Sequence, residues 1–366
     1  MSKFYNVIQV IPSSPAINTL YEILRTGNEV RRLKERKEKI SHRKTRYAFN
    51  FSEAEDYVIY THADSKADSK TGYEVQIYFP KTIMAKLFKK NNKALITLRK
   101  TLIFIASQIG SNSYKGSLKK EQIIFSTREI VELGISKSLN KAPVVIQNAL
   151  ETLQQILFAG TSKFRGKTIS IKKPVPIFEG FQYRNGIFTV ELNPLIDWDF
   201  FIQGFYVMPK AYYSLNGRAC DLLNYIFFIA RQRLEGIKRK KDELTFTISY
   251  EALQFCLNLP DIKKAGEHCN IQQDCVQPIN EAIDAIDTAI GEALKAVSSE
   301  LPHEDFLFLD FPFYRENLKP KKPQELPNTK LEVTLGKAFS EYFIELNTQI
   351  KERLKRTRKR KSNKNT

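Results

Sequence analysis

Apolar residues between positions 123 and 158 recur at helical spacing in two runs that a polar loop separates. The sequence predicts a short strand from Ile123 and then a helix that opens with Ser126 and Glu129, three residues apart as in a capping box. Gly134 is placed to end this helix, and Pro143 follows the loop SKSLNK at the start of the next one. Two helices that meet at a sharp turn indicate a helix-turn-helix.

The second helix of this pair has one apolar stripe, which must pack inward and is formed by Ile146, Ala149, Leu150, Leu153, Ile156 and Leu157. Polar and basic side chains are then left on the outside at the start of the helix. Such groups can reach base edges and phosphates in a major groove, although they also suit any solvated surface helix. The predicted DNA-binding residues are Lys137, Ser138, Asn140, Lys141, Gln147 and Asn148.

Elements that flank this pair complete a winged-helix order. A strand, YEVQIYF, a short helix after Pro80 and a long apolar helix over residues 94–109 precede it. Two strands, predicted over residues 168–178 and 186–193 around a turn at 183–186, follow it as the wing.

The same order then repeats along the chain. Residues 103–108 match 227–232 at an offset of 124, and Ser249 occupies the place of Ser126. DFLFLDFPFY and KLEVTL supply the closing strands. Six elements recur in the same order, and residues at corresponding positions match. This recurrence predicts an internal duplication. In the second copy the apolar stripe is expected at Ile279, Ala282, Ile283 and Ile286.

The predicted fold is therefore α+β and mostly helical, with two tandem winged-helix domains. We expect a helical and basic N-terminal arm at 1–71, the first winged helix at 72–200, the second at 201–346 and a basic tail at 347–366. The expected core residues are Leu102, Phe104, Leu150, Leu153, Leu222 and Phe228.

Charge is concentrated at the two ends. The chain has 58 Lys and Arg against 40 Asp and Glu, a net charge of +18 that favours polyanionic partners. Residues 31–46 hold nine basic and two acidic residues (net +7), and residues 353–364 hold eight basic and no acidic ones (net +8). We expect these ends to contact phosphates without sequence preference. The representative residues are Arg31, Arg32, Arg36, Arg43, Lys44, Arg356, Arg358 and Arg360.

The two copies differ in chemistry. In the second copy, the outer face of the last helix is acidic, with Glu281, Asp284, Asp287 and Glu292, which disfavours contact with phosphates. The loop before that helix is polar and either enters a groove or only solvates the surface. Its candidate DNA-binding residues are Lys263, Lys264, Asn270, Gln272 and Gln273.

A run of packing residues opens the second copy and resembles the bacterial plasmid replication initiator proteins. The matching residues are Tyr206, Pro209, Tyr213, Leu215, Arg218, Ala219, Leu222, Tyr225 and Ile226. The resemblance covers roughly residues 73–345. It implies two winged helices that bind repeated double-stranded sites through successive major grooves, with monomer and dimer forms in different roles. Host replication proteins are further partners that such a role implies.

Catalytic chemistry finds little support in the sequence. There is no G-x-x-x-x-G-K-[ST] motif, and the four histidines are scattered. Asp197 and Asp199 can hold Mg²⁺ in a nuclease or primase, but such a pair after Pro194 more often caps a helix. The spacing of Cys256, His268, Cys269 and Cys275 does not match a compact zinc site. We therefore expect no catalytic residue, no metal and no cofactor.

Two functions remain open at this point, and they share their chemistry. One is a non-catalytic, sequence-specific replication initiator of a plasmid or mobile element, and the other is a transcriptional or recombination regulator. The chain shows no apolar run near 18 residues and no secretory signal, so we expect a cytoplasmic protein without membrane contact.

Overall fold

The computed structural model describes residues 8–35, 49–63, 72–88, 93–114, 122–164, 167–197, 200–235, 244–260, 270–296, 306–314, 323–336 and 339. The chain divides into two compact units. The larger one is Val10–Phe205, and the other combines Met1–Gln9 with Tyr206–Thr366. The described α-helices are α1 (Pro15–Glu35), α2 (Lys81–Leu87), α3 (Lys93–Tyr114), α4 (Thr127–Glu132), α5 (Ala142–Gln154), α6 (Gly217–Glu235), α7 (Tyr250–Leu257) and α8 (Gln277–Lys295).

Thirteen strands are described, and they form four sheets. In chain order they are β1 (Ile8–Ser13), β2 (Phe49–Glu53), β3 (Tyr57–Ala63), β4 (Tyr73–Pro80), β5 (Gln122–Ser126), β6 (Leu157–Phe164), β7 (Lys167–Pro176), β8 (Phe178–Arg184), β9 (Ile187–Leu192), β10 (Gly204–Pro209), β11 (Leu244–Ser249), β12 (Leu307–Asp310) and β13 (Lys330–Leu335). The sheet orders are β1-β10, β2-β3-β4-β6-β7, β5-β9-β8 and β11-β13-β12.

The Val10–Phe205 unit is built around an antiparallel five-stranded sheet and helix α3. Strand β4 pairs with β3 on one side and with β6 on the other, from Tyr73 opposite Ser162 to Tyr78 opposite Leu157. A bulge in β6 brings Gly160 so close to β4 that a Cβ there would lie 2.1 Å from the Glu74 carbonyl oxygen. Helix α1 packs on α3 and β4 and buries Ile17, Leu20, Ile23 and Leu24. The apolar stripe of α1 is thus part of the core of this unit.

A second, smaller sheet in this unit carries the helix-turn-helix. Strand β5 precedes α4, and β9 lies between β5 and β8. Helix α5 packs on α3 and on β8, because its apolar stripe is buried at Ile146, Ala149, Leu150 and Leu153. The order α3, β5, α4, α5, β8, β9 was predicted from the sequence and is confirmed, except that β6 and β7 intervene before the last two strands.

The other unit repeats that order with α6, β11, α7, α8, β12 and β13. Its sheet has the arrangement β11-β13-β12, which matches β5-β9-β8 strand for strand. The predicted stripe at Ile279, Ala282, Ile283 and Ile286 is buried, as is Leu222 of α6. Recurrence of both the element order and the sheet order agrees with the repeat seen in the sequence.

Three sequence predictions were wrong in detail, besides the end of α5, which stops at Gln154, so that Leu157, assigned to its apolar stripe, begins β6 instead. The α+β class holds, but the fold is not mostly helical, since about 48% of the described residues are in helices and about 34% are in strands. The error arose because β2, β3 and β6 were not predicted. The strand that pairs with β9 in the hairpin is β8 (Phe178–Arg184), whereas β7, which covers most of the segment 168–178 assigned to the wing, pairs with β6.

The third error concerns the phase of α6. Phe228 was expected in the core but is only half-buried, and the neighbouring Phe227 is buried instead, with its ring 4.9 Å from that of Phe339. Neighbouring residues on a helix point about 100° apart, so an error of one position exchanges a core side chain for a flanking one. The remaining predicted core residues, Leu102, Phe104, Leu150, Leu153 and Leu222, are buried.

Candidate nucleic-acid interface

Helix α4 begins and ends as the sequence predicted. The backbone N–H of Glu129 donates to Ser126 Oγ at 3.1 Å, which satisfies one of the free donors at the helix start. Gly134 has a φ of 79°, in the left-handed region that glycine adopts without strain. This turn reverses the chain, and the N–H of Ile135 returns to the carbonyl oxygen of Ile130 at 3.1 Å.

The turn before α5 is fixed by Ser138. Its carbonyl oxygen accepts hydrogen bonds from the backbone N–H of Ala142 at 3.0 Å and from Ser136 Oγ at 3.3 Å. Its hydroxyl oxygen accepts from the N–H of Lys141, also at 3.3 Å. Ser138, predicted as a DNA contact, therefore has a structural role in shaping the start of α5.

The outer face of α5 displays unoccupied polar groups. Asn148 is exposed on the helix, Lys141 is exposed at its N-cap, Lys137 and Asn140 are exposed in the preceding loop, and Gln147 is half-buried. Within the described part of the chain, these five side chains make no hydrogen bond or ion pair with other protein groups. Burial of Ala142, Ile146 and Leu150 on the opposite face fixes the direction in which they point. They can therefore bind an external partner without breaking an internal hydrogen bond.

The hairpin of β8 and β9 is fastened to this helix pair. The N–H of Thr127 donates to the carbonyl oxygen of Gly186 at 2.9 Å, and Thr127 Oγ1 donates to the same oxygen at 3.2 Å. At the other end of the hairpin, Gln154 of α5 donates to the carbonyl oxygen of Glu179. The hairpin turn is thus held beside the start of α4.

Two further residues of the hairpin belong to this surface and were not predicted as site residues. Tyr183 and Arg184 are exposed next to the turn at Asn185 and Gly186, both of which have positive φ. An Asn-Gly pair between two strands is the signal of a tight hairpin, and it predicted the turn but not the role of the two residues before it. Arg184 adds a cationic group suited to phosphate contact.

The first helix of the second helix-turn-helix is capped at both ends in a similar way. Ser249 Oγ accepts from the N–H of Ala252 at 3.3 Å, as Ser126 does in the first copy. Asn258 ends α7 with a φ of 53°, in the place that Gly134 takes after α4. A six-residue π-helix, Ile271–Val276, then leads directly into α8.

The predicted DNA-binding residues of the second copy are less available. Asn270 caps the π-helix, because its side-chain oxygen accepts from the N–H of Gln273 at 3.2 Å while its own N–H donates to Asp274 Oδ2 at 2.9 Å. Gln272 is half-buried and Gln273 is exposed. Lys263 and Lys264 lie outside the described residues.

The acidic outer face of α8 is occupied by protein contacts. Tyr314, which follows β12, donates to Asp284 Oδ1 at 2.5 Å and lies 3.4 Å from Asp287 Oδ2. Desolvation and the hydrogen bond to Asp284 raise the pKa of Tyr314. Gln277 donates to Glu281 Oε1 at 2.8 Å. Glu281, Asp284 and Asp287 of α8 therefore serve as hydrogen-bond acceptors within this unit.

Other predicted sites fall largely outside the described residues. This holds for Asp199, His268 and Cys269, and for Arg36, Arg43, Lys44, Arg356, Arg358 and Arg360. The backbone of Arg31 and Arg32 lies in the last turns of α1, but their side chains are not described. Cys256 and Cys275 are buried, and Cys256 Sγ donates to the carbonyl oxygen of Asp221 at 3.3 Å. Among the described residues there is no cluster of metal-binding side chains and no helix long and apolar enough to cross a bilayer.

Comparisons with known proteins give distant structural similarity. No protein-family model matches the chain, and no curated protein matches it. A crystal structure of domains 2 and 3 of RctB aligns with 80% of this chain and 95% of its own, at 10% identity and a TM-score of 0.34. A second structure of the same two domains, from selenomethionine derivatives, covers 78% and 92%, at 11% identity and a TM-score of 0.32. TM-scores this low do not establish a common fold.

Proposed function

We propose that this chain binds double-stranded DNA, with the helix-turn-helix and hairpin of the Val10–Phe205 unit acting as a winged helix. The main observation is the start of α5, where the side chains of Lys141, Gln147 and Asn148 have no partner among the described residues while the opposite face is packed. A recognition helix reads a major groove with its N-terminal residues. Asn and Gln can pair with adenine there, and Lys with guanine.

The proposed role is that of a non-catalytic replication initiator acting on repeated sites, such as those of a plasmid or mobile-element origin. Support comes from the duplicated element order, which suits a chain that engages successive segments of one duplex. The resemblance of the run Tyr206 to Ile226 to plasmid initiators points in the same direction. A transcriptional or recombination regulator is the alternative, because the same fold and surface would serve it equally.

The two basic ends have a separate part in this proposal. Residues 31–46 and 353–364 supply 15 of the net 18 positive charges and would add affinity for any duplex through phosphate contacts. Host replication proteins and a second copy of the chain are the protein partners that an initiator would use. The acidic α8 is better suited to protein contacts than to DNA.

The test is footprinting of the full-length protein on the DNA that flanks its own gene, with an unrelated duplex of equal length as control. Protection repeated at regular intervals over direct repeats is the result expected of an initiator. A single protected segment over a promoter would favour the regulator. Equal, unpatterned protection of both duplexes would contradict sequence-specific binding.

A further inference from the structure

An apolar side chain stands in the middle of the proposed reading face. Val144 is 59% exposed and lies three residues after Lys141 and four before Asn148, so all three share one side of α5. The stripe continues to Glu151, whose carboxylate is exposed and disfavours phosphate nearby. The part of α5 that suits a DNA groove is therefore the stretch from Lys141 to Asn148, with Val144 near its centre.

A second apolar residue accompanies it. Leu139 is 50% exposed at the tip of the turn that Ser138 fixes, just before Asn140. Large exposed hydrophobic residues are few in the described chain: besides these two, only Ile124, Tyr183, Ile187 and Leu195 qualify. Single exposed apolar residues are common on protein surfaces and need no explanation. Leu139 and Val144, however, lie within six residues of each other and among side chains suited to base contacts. Their proximity in the sequence indicates that they act at the same surface.

The major groove of DNA contains an apolar group that such side chains can contact. Thymine is the one DNA base that carries a methyl group at C5, and this group projects into the major groove, where apolar side chains recognise it. Val is branched at Cβ and has little rotamer freedom in a helix, so it loses little entropy when a methyl group packs against it. Asn148 offers no comparable apolar surface.

We propose that Val144, together with Leu139 of the preceding turn, reads the C5 methyl group of thymine and so sets part of the sequence preference of the first helix-turn-helix. This inference rests on the proposed binding of duplex DNA by α5. It adds to that proposal two specificity-determining residues and the chemical group that they recognise. It also predicts that the preferred site contains thymine within the segment that α5 covers.

The experiment removes methyl groups one at a time from the DNA. The preferred site is first obtained by selection from random duplexes with the full-length protein, and each thymine in it is then replaced by deoxyuridine, which lacks only the C5 methyl. Burying one methyl-sized group is worth a factor of about four in affinity. We expect one or two positions at which this replacement weakens binding by about that factor.

Protein variants then assign the methyl contact. With Val144→Ala or Leu139→Ala, a sensitive position should lose most of its preference for thymine over deoxyuridine. Leu195→Ala is the matched control, because Leu195 is 74% exposed in the same unit but lies outside the helix-turn-helix, and it should keep the wild-type preference. Circular dichroism and thermal unfolding confirm that the three variants fold.

The outcomes separate this inference from the function on which it depends. If no preferred duplex emerges from the selection, sequence-specific DNA binding itself is overturned. If a preferred duplex emerges but tolerates deoxyuridine at every thymine, or if Val144→Ala and Leu139→Ala both keep the full thymine preference, DNA binding stands and methyl recognition is overturned.

Discussion

The two helix-turn-helix pairs of this chain share their construction but not their surface chemistry. Both first helices are capped by a serine, Ser126 or Ser249, and both end at a residue with positive φ, Gly134 or Asn258. The outer face of α5 presents amide and lysine side chains without internal partners. The outer face of α8 presents carboxylates, of which Asp284 already accepts a hydrogen bond from Tyr314. The two copies thus share their caps and buried stripes, while their outer faces carry different side chains.

This difference indicates which features belong to the scaffold and which to the proposed function. Caps, turn residues and buried stripes recur because both copies need them to fold. Residues on the outer faces are not part of the buried stripes, so their chemistry can differ between the copies without changing the core. The shared scaffold and the divergent surfaces can therefore be tested by separate substitutions.

The largest effect should come from the buried stripes. Leu150 and Ile283 occupy corresponding positions in α5 and α8, and both are fully buried. Leu150→Ala and Ile283→Ala should each lower the free energy of unfolding by about 2–5 kcal/mol, because each leaves a cavity. Urea unfolding measures this decrease. Val144→Ala, at an exposed position of α5, is the control and should remain within about 0.5 kcal/mol of wild type.

An unequal outcome would be informative. If Leu150→Ala were neutral while Ile283→Ala were costly, the stripe of α5 would not be the packing face, and the direction assigned to Gln147 and Asn148 would be wrong with it.

A smaller effect should come from the caps. Ser126→Ala and Ser249→Ala each remove the side-chain acceptor of one backbone N–H, at Glu129 and Ala252, and should cost about 1 kcal/mol. Ser126→Asp and Ser249→Asp keep an acceptor and should restore most of the stability in thermal unfolding. Equal losses of stability in the alanine and aspartate variants would show that the hydroxyl is not acting as a cap.

How far the sequence predicts this fold depends on the range of the interactions involved. The caps at Ser126 and Ser249, the stop at Gly134 and the stripe around Leu150 are signals within one or two helical turns, and all were predicted. Strand β6 was not predicted, because its partner β4 lies some 80 residues earlier in the chain. In addition, its first residue, Leu157, continues the apolar spacing of α5 and was therefore assigned to that helix. Strand β3 alternates buried and half-buried residues, but nothing local indicates that β2 and β4 flank it.

In the candidate site, too, only the features that depend on local sequence patterns were predicted. The exposed side of α5 followed from its apolar stripe, but the role of Ser138 in the turn depends on backbone hydrogen bonds that no residue pattern reveals. The π-helix before α8 is another such feature, and it places Asn270 in a capping position. The contact of Tyr314 with Asp284 joins residues 30 positions apart and explains why an acidic helix face is tolerated.

The smallest effect on sequence preference should come from the basic tail. Removal of residues 353–366 should weaken binding to every duplex alike, and the slope of log K against log salt should fall by about 0.9 for each phosphate that the tail neutralises. Affinity titrations from low to moderate salt, on preferred and random duplexes, measure both quantities. A full salt slope after truncation would mean that the tail does not touch phosphate.

In the proposed function, the first copy reads DNA sequence and the acidic helix of the second does not. The most direct measurement is a selection of bound sequences from random duplexes, performed with wild type, with Gln147→Ala/Asn148→Ala and with Asp284→Ala/Asp287→Ala. Removing a side chain that pairs with a base should cost about 1–3 kcal/mol of discrimination at that base pair. We predict relaxed preference at a few adjacent base pairs for the α5 variant and an unchanged site for the α8 variant. An unchanged site for the α5 variant, or an altered one for the α8 variant, would contradict this division of roles.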